Sequence, residues 1–133
     1  MSEYEYSILN TNNEHELIEY ERELYKAFKN NDWVMTNYQL IDGNRLRSKT
    51  LTYADIEVCL VKNDNKIIIG SAVNYNMDKI LQLEEEGFDI DKSTKNFCEG
   101  LIFFTTEQAK NHDFLKISIN LFEFVKKKLL KKI

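Results

Sequence analysis

Ile56-Glu57-Val58-Cys59-Leu60-Val61, then Asn63-Asp64-Asn65-Lys66, then the run Ile67 to Tyr75 is the stretch whose reading decides the fold. The two flanks are rich in β-branched residues, and the polar quartet between them has turn chemistry, so the segment predicts a β-hairpin. Working outward, Phe97 to Thr105 predicts a further strand, apolar except at Glu99 and carrying Gly100. A glycine inside a strand marks a bulge or a close approach to the backbone. Asp113 to Lys132 has helical periodicity with an unusually wide apolar stripe (Phe114, Ile117, Leu121, Phe124 and Val125, with Leu115, Ile119, Phe122 and Leu129 beside them), which calls for a sheet to cover it.

Toward the N-terminus, Tyr4, Tyr6 and Ile8 alternate with Glu5 and Ser7 as a strand does. Thr11-Asn12-Asn13-Glu14 has capping-box spacing. Leu17, Tyr20, Leu24 and Phe28 then share one face of a helix placed at about residues 13 to 29. Asn30 to Thr52 is poorly patterned, with room for a short second helix, and Met77 to Asn96 reads as a polar excursion. The order strand, helix, short helix, strand, strand, excursion, strand, helix predicts an α+β fold. Its sheet is expected to be mixed and mostly antiparallel, of about four strands flanked by helices, in a single domain over residues 1–133.

The 133 residues are 43% hydrophobic and 30% charged, enough apolar material for one core. No apolar run approaches the roughly 20 residues that cross a bilayer, and the acidic N-terminus lacks the features of a secretory signal. The expectation is a cytoplasmic protein, with no membrane and no nucleic-acid partner. Net charge is −4, unevenly spread: residues 1–30 hold seven Glu against Arg22, Lys26 and Lys29, and residues 113–133 hold six Lys against Asp113 and Glu123. The terminal lysines suit the negative end of a helix dipole and a solvated face better than a phosphate patch. Cys59 and Cys98 read as small buried hydrophobes. No metal is expected, because His15 and His112 have no partner at ligand spacing, and Asp89-Ile90-Asp91 fails the calcium-loop register at Thr94 and Glu99.

Glu99 is the most informative carboxylate. By strand parity it sides with Phe97, Leu101 and Phe103, unless a bulge at Gly100 re-aims it. Beside an apolar face it suits a general base; the ordinary alternative is a solvated or paired strand residue. Asn111 and Asp113 are candidate N-caps of the last helix, whose first N–H groups form a potential anion site.

This order of elements is similar to the first two thirds of the GNAT acyltransferase fold, and most of all to the acyl-homoserine lactone synthases and N-acyl amino acid synthases. Glu21-Arg22-Glu23-Leu24-Tyr25 to Asp32-Trp33 resembles their first-helix pattern, residues 56–61 and 66–73 their central hairpin, and Leu81 to Leu101 the approach to their fourth strand and its Glu. The resemblance implies an N-acyltransferase that moves an acyl group from a thioester, on coenzyme A (acyl-CoA) or an acyl carrier protein, to an amine. The donor would lie beside Gly100, Leu101 and Ile102, its phosphates at the turn holding Gln108, Lys110, Asn111 and Asp113, with Glu99 as catalytic base. Ile102 stands where the family has Arg, and residues 108–113 lack the family's glycines. The second expectation is therefore a catalytically silent GNAT-like domain that binds a protein or ligand. The chain ends where the family's remaining strands would begin, so the fourth strand is expected to need a homo-oligomer or protein partner along residues 97–105.

Overall fold

In the computed structural model the described residues are 4–93, 98–110 and 112–131. They form a four-stranded, wholly antiparallel sheet in the order β1-β4-β5-β6, together with a separate β2-β3 hairpin. The strands are β1 (Tyr4–Ile8), β2 (Tyr38–Ile41), β3 (Arg45–Ser48), β4 (Ile56–Asn63), β5 (Lys66–Asn74) and β6 (Glu99–Thr105); the helices are α1 (Glu14–Phe28), α2 (Asp32–Asn37), α3 (Gln82–Glu85) and α4 (Phe114–Leu130). The α+β class follows the sequence reading.

The predicted hairpin is β4-β5. Asp64 and Asn65 both adopt positive φ (52° and 64°), the left-handed pair that a two-residue turn between twisted strands requires. Val58 to Val61 are buried on both faces, because helices cover each side of the sheet. On one side Val58, Leu60, Ala72, Ile102 and Phe104 meet Tyr20 and Leu24 of α1 and Leu46 of β3. On the other, Cys59, Val61, Ile68 and Ile69 meet Ile117 and Leu121 of α4. Consecutive Ile68 and Ile69 share this second face because the register slips between Val61 and Lys62, which pair with Ile69 and Ile67. Side-chain caps start the helices: Asn13 accepts from Glu16 N at 3.2 Å, Asn31 from Val34 N at 3.1 Å, and Asp113 from Lys116 N at 3.2 Å.

The β2-β3 hairpin is absent from the sequence reading. Its strands are four residues each, and Leu46 sits between two arginines, so hydrophobic alternation is almost invisible. What docks it is charge. Glu21 of α1 is 0% exposed and accepts from Arg45 Nε at 3.1 Å, from Arg47 Nε at 2.7 Å and Nη2 at 3.1 Å, and from Tyr53 OH at 2.7 Å. A buried carboxylate is tolerable only with such a full set of partners.

Asp55 ties the start of β4 to the excursion after β5. It accepts from Lys79 Nζ at 2.6 Å, Asn76 Nδ2 at 2.8 Å and Thr52 N at 2.8 Å. Burial opposes its ionisation, but these donors, led by Lys79, outweigh burial and hold the carboxyl well below the usual carboxylate range. Its stabilisation is complete above the ordinary value of about 4 and disappears as pH falls through the lower folded value. Asp55→Asn is therefore expected to lower stability at pH 7 and to flatten the loss of stability below about pH 4, as read from urea midpoints across pH. At Gly70 an added Cβ would lie 2.5 Å from Phe104 Cε1. Gly70→Ala is expected to cost about 1–3 kcal/mol, seen as a lower urea midpoint at unchanged slope.

Candidate functional site

β6 forms one edge of the sheet, and its irregularity shapes the site. Ala72 pairs with Ile102 and Val73 with Gly100, so Leu101 is the extra residue of a bulge. The bulge breaks the parity read from the sequence. Leu101 packs into the α1-side core, whereas Phe103 is half exposed on the opposite side against Phe114 of α4, ring centroids 6.0 Å apart. Glu99 parts from Phe103 too and turns to α3. The described strand begins at Glu99; Phe97 lies outside the described residues.

Glu99 is 8% exposed. Its Oε1 accepts from Gln82 N and its Oε2 from Leu83 N, each at 3.1 Å. The N-cap of α3 is Leu81, which has no polar side chain, so a carboxylate from another element does the capping. These bonds engage two of the roughly four acceptor positions of a carboxylate.

Two cavities flank β6 and meet at Cys98 and Gly100. On the α4 side an apolar groove of about 460 Å³ runs between β5-β6 and the second half of α4; Val73, Ile102, Leu121, Phe122, Val125 and Leu129 line it. Ser71, a polar side chain in that wall, donates its hydroxyl to the Cys59 carbonyl at 3.5 Å. On the α3 side a cleft of about 450 Å³ has apolar walls at Leu81, Leu83, Ile90 and Leu101 and polar groups at Gln82, Glu86 and Glu99. Trp33 stands at its margin, its Nε1 donating to Glu86 Oε1 at 2.8 Å. At Gly100 an added Cβ would meet nothing within 4 Å, so no packed atom blocks the junction. Burial raises the Cys98 thiol, which favours its neutral form there.

The expected site residues do not gather at one place. Glu99, Gly100 and Leu101 line the cleft, and Gly100 and Ile102 line the groove. Gln108, Lys110 and Asp113 belong to the turn after β6, about 20 Å along the strand from Glu99 at ~3.4 Å per residue; Asn111 lies outside the described residues. That turn contains a short 3-10 segment, Glu107–Ala109. Lys110 lies 3.7 Å from the Glu107 carboxylate, and the Asp113 side chain already occupies the start of α4 by capping it. Two acidic side chains and no close-approach glycine make it a poor pyrophosphate cradle, so the turn does not fit the phosphate role. The sequence reading did not place Trp33, Gln82, Glu86, Phe122 or Val125 in a site. A burst of carboxylates in the polar excursion, Glu84 to Glu86, is the signal nearest to the cleft that the sequence offers for Gln82 and Glu86.

Among the described residues no group of His, Cys, Asp or Glu is arranged to hold a metal, and no helix is long and apolar enough to cross a membrane. In comparisons with known proteins, no family model, no curated protein and no solved structure matches the chain.

Glu99→Gln leaves one oxygen to serve two amides. The variant is expected to lose about 1.5–3 kcal/mol. Hydrogen exchange should speed up at the Gln82 and Leu83 amides while β4 and β5 stay protected; unchanged exchange at both amides would remove the capping role.

Proposed function

We propose that the chain is a GNAT-like N-acyltransferase domain, with the acyl chain of a thioester in the groove and an amine in the cleft. The observation that carries this reading is the meeting of a largely apolar cavity and a partly polar one at Gly100. Transfer between two substrates needs such a junction: an alkyl chain on one side, a polar nucleophile on the other, and a glycine where they meet. The thioester carbonyl would lie at the bulge, where the outward backbone N–H groups of an edge strand are available to its oxygen. The amine nitrogen bonds to the carbonyl carbon, the C–S bond breaks, and the sulfur leaves as thiol. Glu99 takes the proton the amine loses, which then passes to the thiol. Coenzyme A and an acyl carrier protein both supply such a thioester, and the chemistry of the turn at 106–113 supports a donor whose phosphates are held elsewhere. Two free thiols suit a reducing cytoplasm.

The test is a thermal-shift titration with octanoyl-CoA, paired with thiol release in the presence of amines. A thioester that binds only the folded state should raise stability by about 2.7 kcal/mol at a hundredfold excess over its Kd. Gly100→Val has room for its side chain and should fold with the wild type's midpoint, yet lose at least tenfold in octanoyl-CoA affinity. No shift at millimolar thioester would sink the reading.

A second reading, a silent binding module, rests on a different observation. Leu115, Ile119, Phe122 and Leu130 of α4 are exposed, and β6, the edge strand among the described residues, has Glu99 as its only charge, turned inward. A second copy of the chain or another protein would cover that surface. In sedimentation experiments this reading predicts an oligomer that dissociates on dilution and is abolished by Phe122→Asp.

A further inference from the structure

The cleft on the α3 side carries an electrostatic signature that the acyl-transfer reading leaves open. Among the described residues that line it there is no Lys, Arg or His, whereas Glu86 and Glu99 both contribute carboxylates. Among the described residues the nearby cations are committed elsewhere. Lys79 lies on Asp55 at 2.6 Å, Lys92 on the Glu84 carboxylate and the Lys79 carbonyl, and Arg45 and Arg47 on Glu21. A substrate carboxylate entering this cleft would exchange water for two like charges and, among the described residues, no counter-ion, an arrangement that disfavours binding. An ammonium meets the opposite condition. The apolar walls at Leu81, Leu83, Ile90 and Leu101 ask for a hydrophobic body, and Trp33, fixed through its N–H to Glu86, adds an aromatic surface that favours cations.

We propose that the acceptor is a cationic amine with an apolar or aromatic body and no carboxylate, and so not an amino acid. The inference rests on the acyl-transfer reading. The ammonium first releases one proton to solvent; the neutral amine attacks the thioester carbonyl, the C–S bond breaks, and the second proton passes through Glu99 to the leaving thiol. The products are an uncharged amide and a free thiol. Charge neutralisation on acylation removes the attraction to Glu86 and Glu99, which favours product release.

Tryptamine with tryptophan, and tyramine with tyrosine, are matched pairs that differ only by the carboxylate. The chain has a single Trp, so one indole N–H resonance reports occupancy of the cleft. Titrated into the full chain, tryptamine and tyramine are expected to shift the Trp33 resonance with at least tenfold lower Kd than their amino acids. In Glu86→Gln, whose amide oxygen still accepts from Trp33, the preference should fall to threefold or less. Equal or tighter binding of the amino acids overturns the inference, and so does a Trp33 signal unmoved by any of the four. Octanoyl-CoA binding, followed separately by thermal shift, judges the acyl-transfer reading, so the two failures are distinguishable.

Discussion

A strand that is apolar on both faces has to be covered twice, and β4 imposes that condition on everything around it. Val58 and Leu60 point one way, Cys59 and Val61 the other. Burying either set alone would leave the second as a contiguous exposed patch, which a soluble fold rarely tolerates. α4 meets the condition on one side by itself. On the other side α1 is not wide enough, and the β2-β3 hairpin completes the cover with Leu46, held against α1 by the Glu21 carboxylate. Hydrophobic area drives both contacts, but on the hairpin side a salt-bridged polar cluster fixes the geometry. Its loss would strand two arginines and a tyrosine hydroxyl beside a buried surface.

The parts of the fold legible in the sequence are those with strong local signals. The Asp64-Asn65 turn, the cap at Asn13 and the period of α4 each involve residues close together in the chain, where propensity and pattern act directly. The β2-β3 hairpin was not legible, because its stability comes from a residue more than twenty positions upstream. Glu99 is an instructive intermediate case. Its importance was visible and its direction was not, since one extra residue at Leu101 reverses the alternation on which parity rests. The cleft was the least legible feature: Trp33 and Glu86 are separated by 53 positions, and no periodicity links them.

The site is best understood as two solvents placed side by side. The groove behind α4 is hydrocarbon-like, with its hydroxyl at Ser71 turned to a carbonyl. The cleft before α3 is amphipathic and negative. Between them stands a strand whose glycine presents no side chain to either. Under the proposed transfer, such a partition would sort the two substrates by polarity before any catalytic group acts, and it is built from residues that look ordinary one at a time. The turn after β6 is different. It has the position of an anion site but carries the acidic residues Glu107 and Asp113, so in the proposed transfer recognition of the donor would fall mainly on its hydrocarbon portion.

Glu99 belongs to the strand by its backbone and to α3 by its side chain, and this double membership couples the two cavities. Its two bonds to the Gln82 and Leu83 amides tie the edge strand that the two cavities share to the first turn of α3, a wall of the cleft. Under the proposed acyl transfer, a two-bond tether of this kind would pass a displacement on the groove side to the cleft side, so that one occupant would bias the arrival of the other.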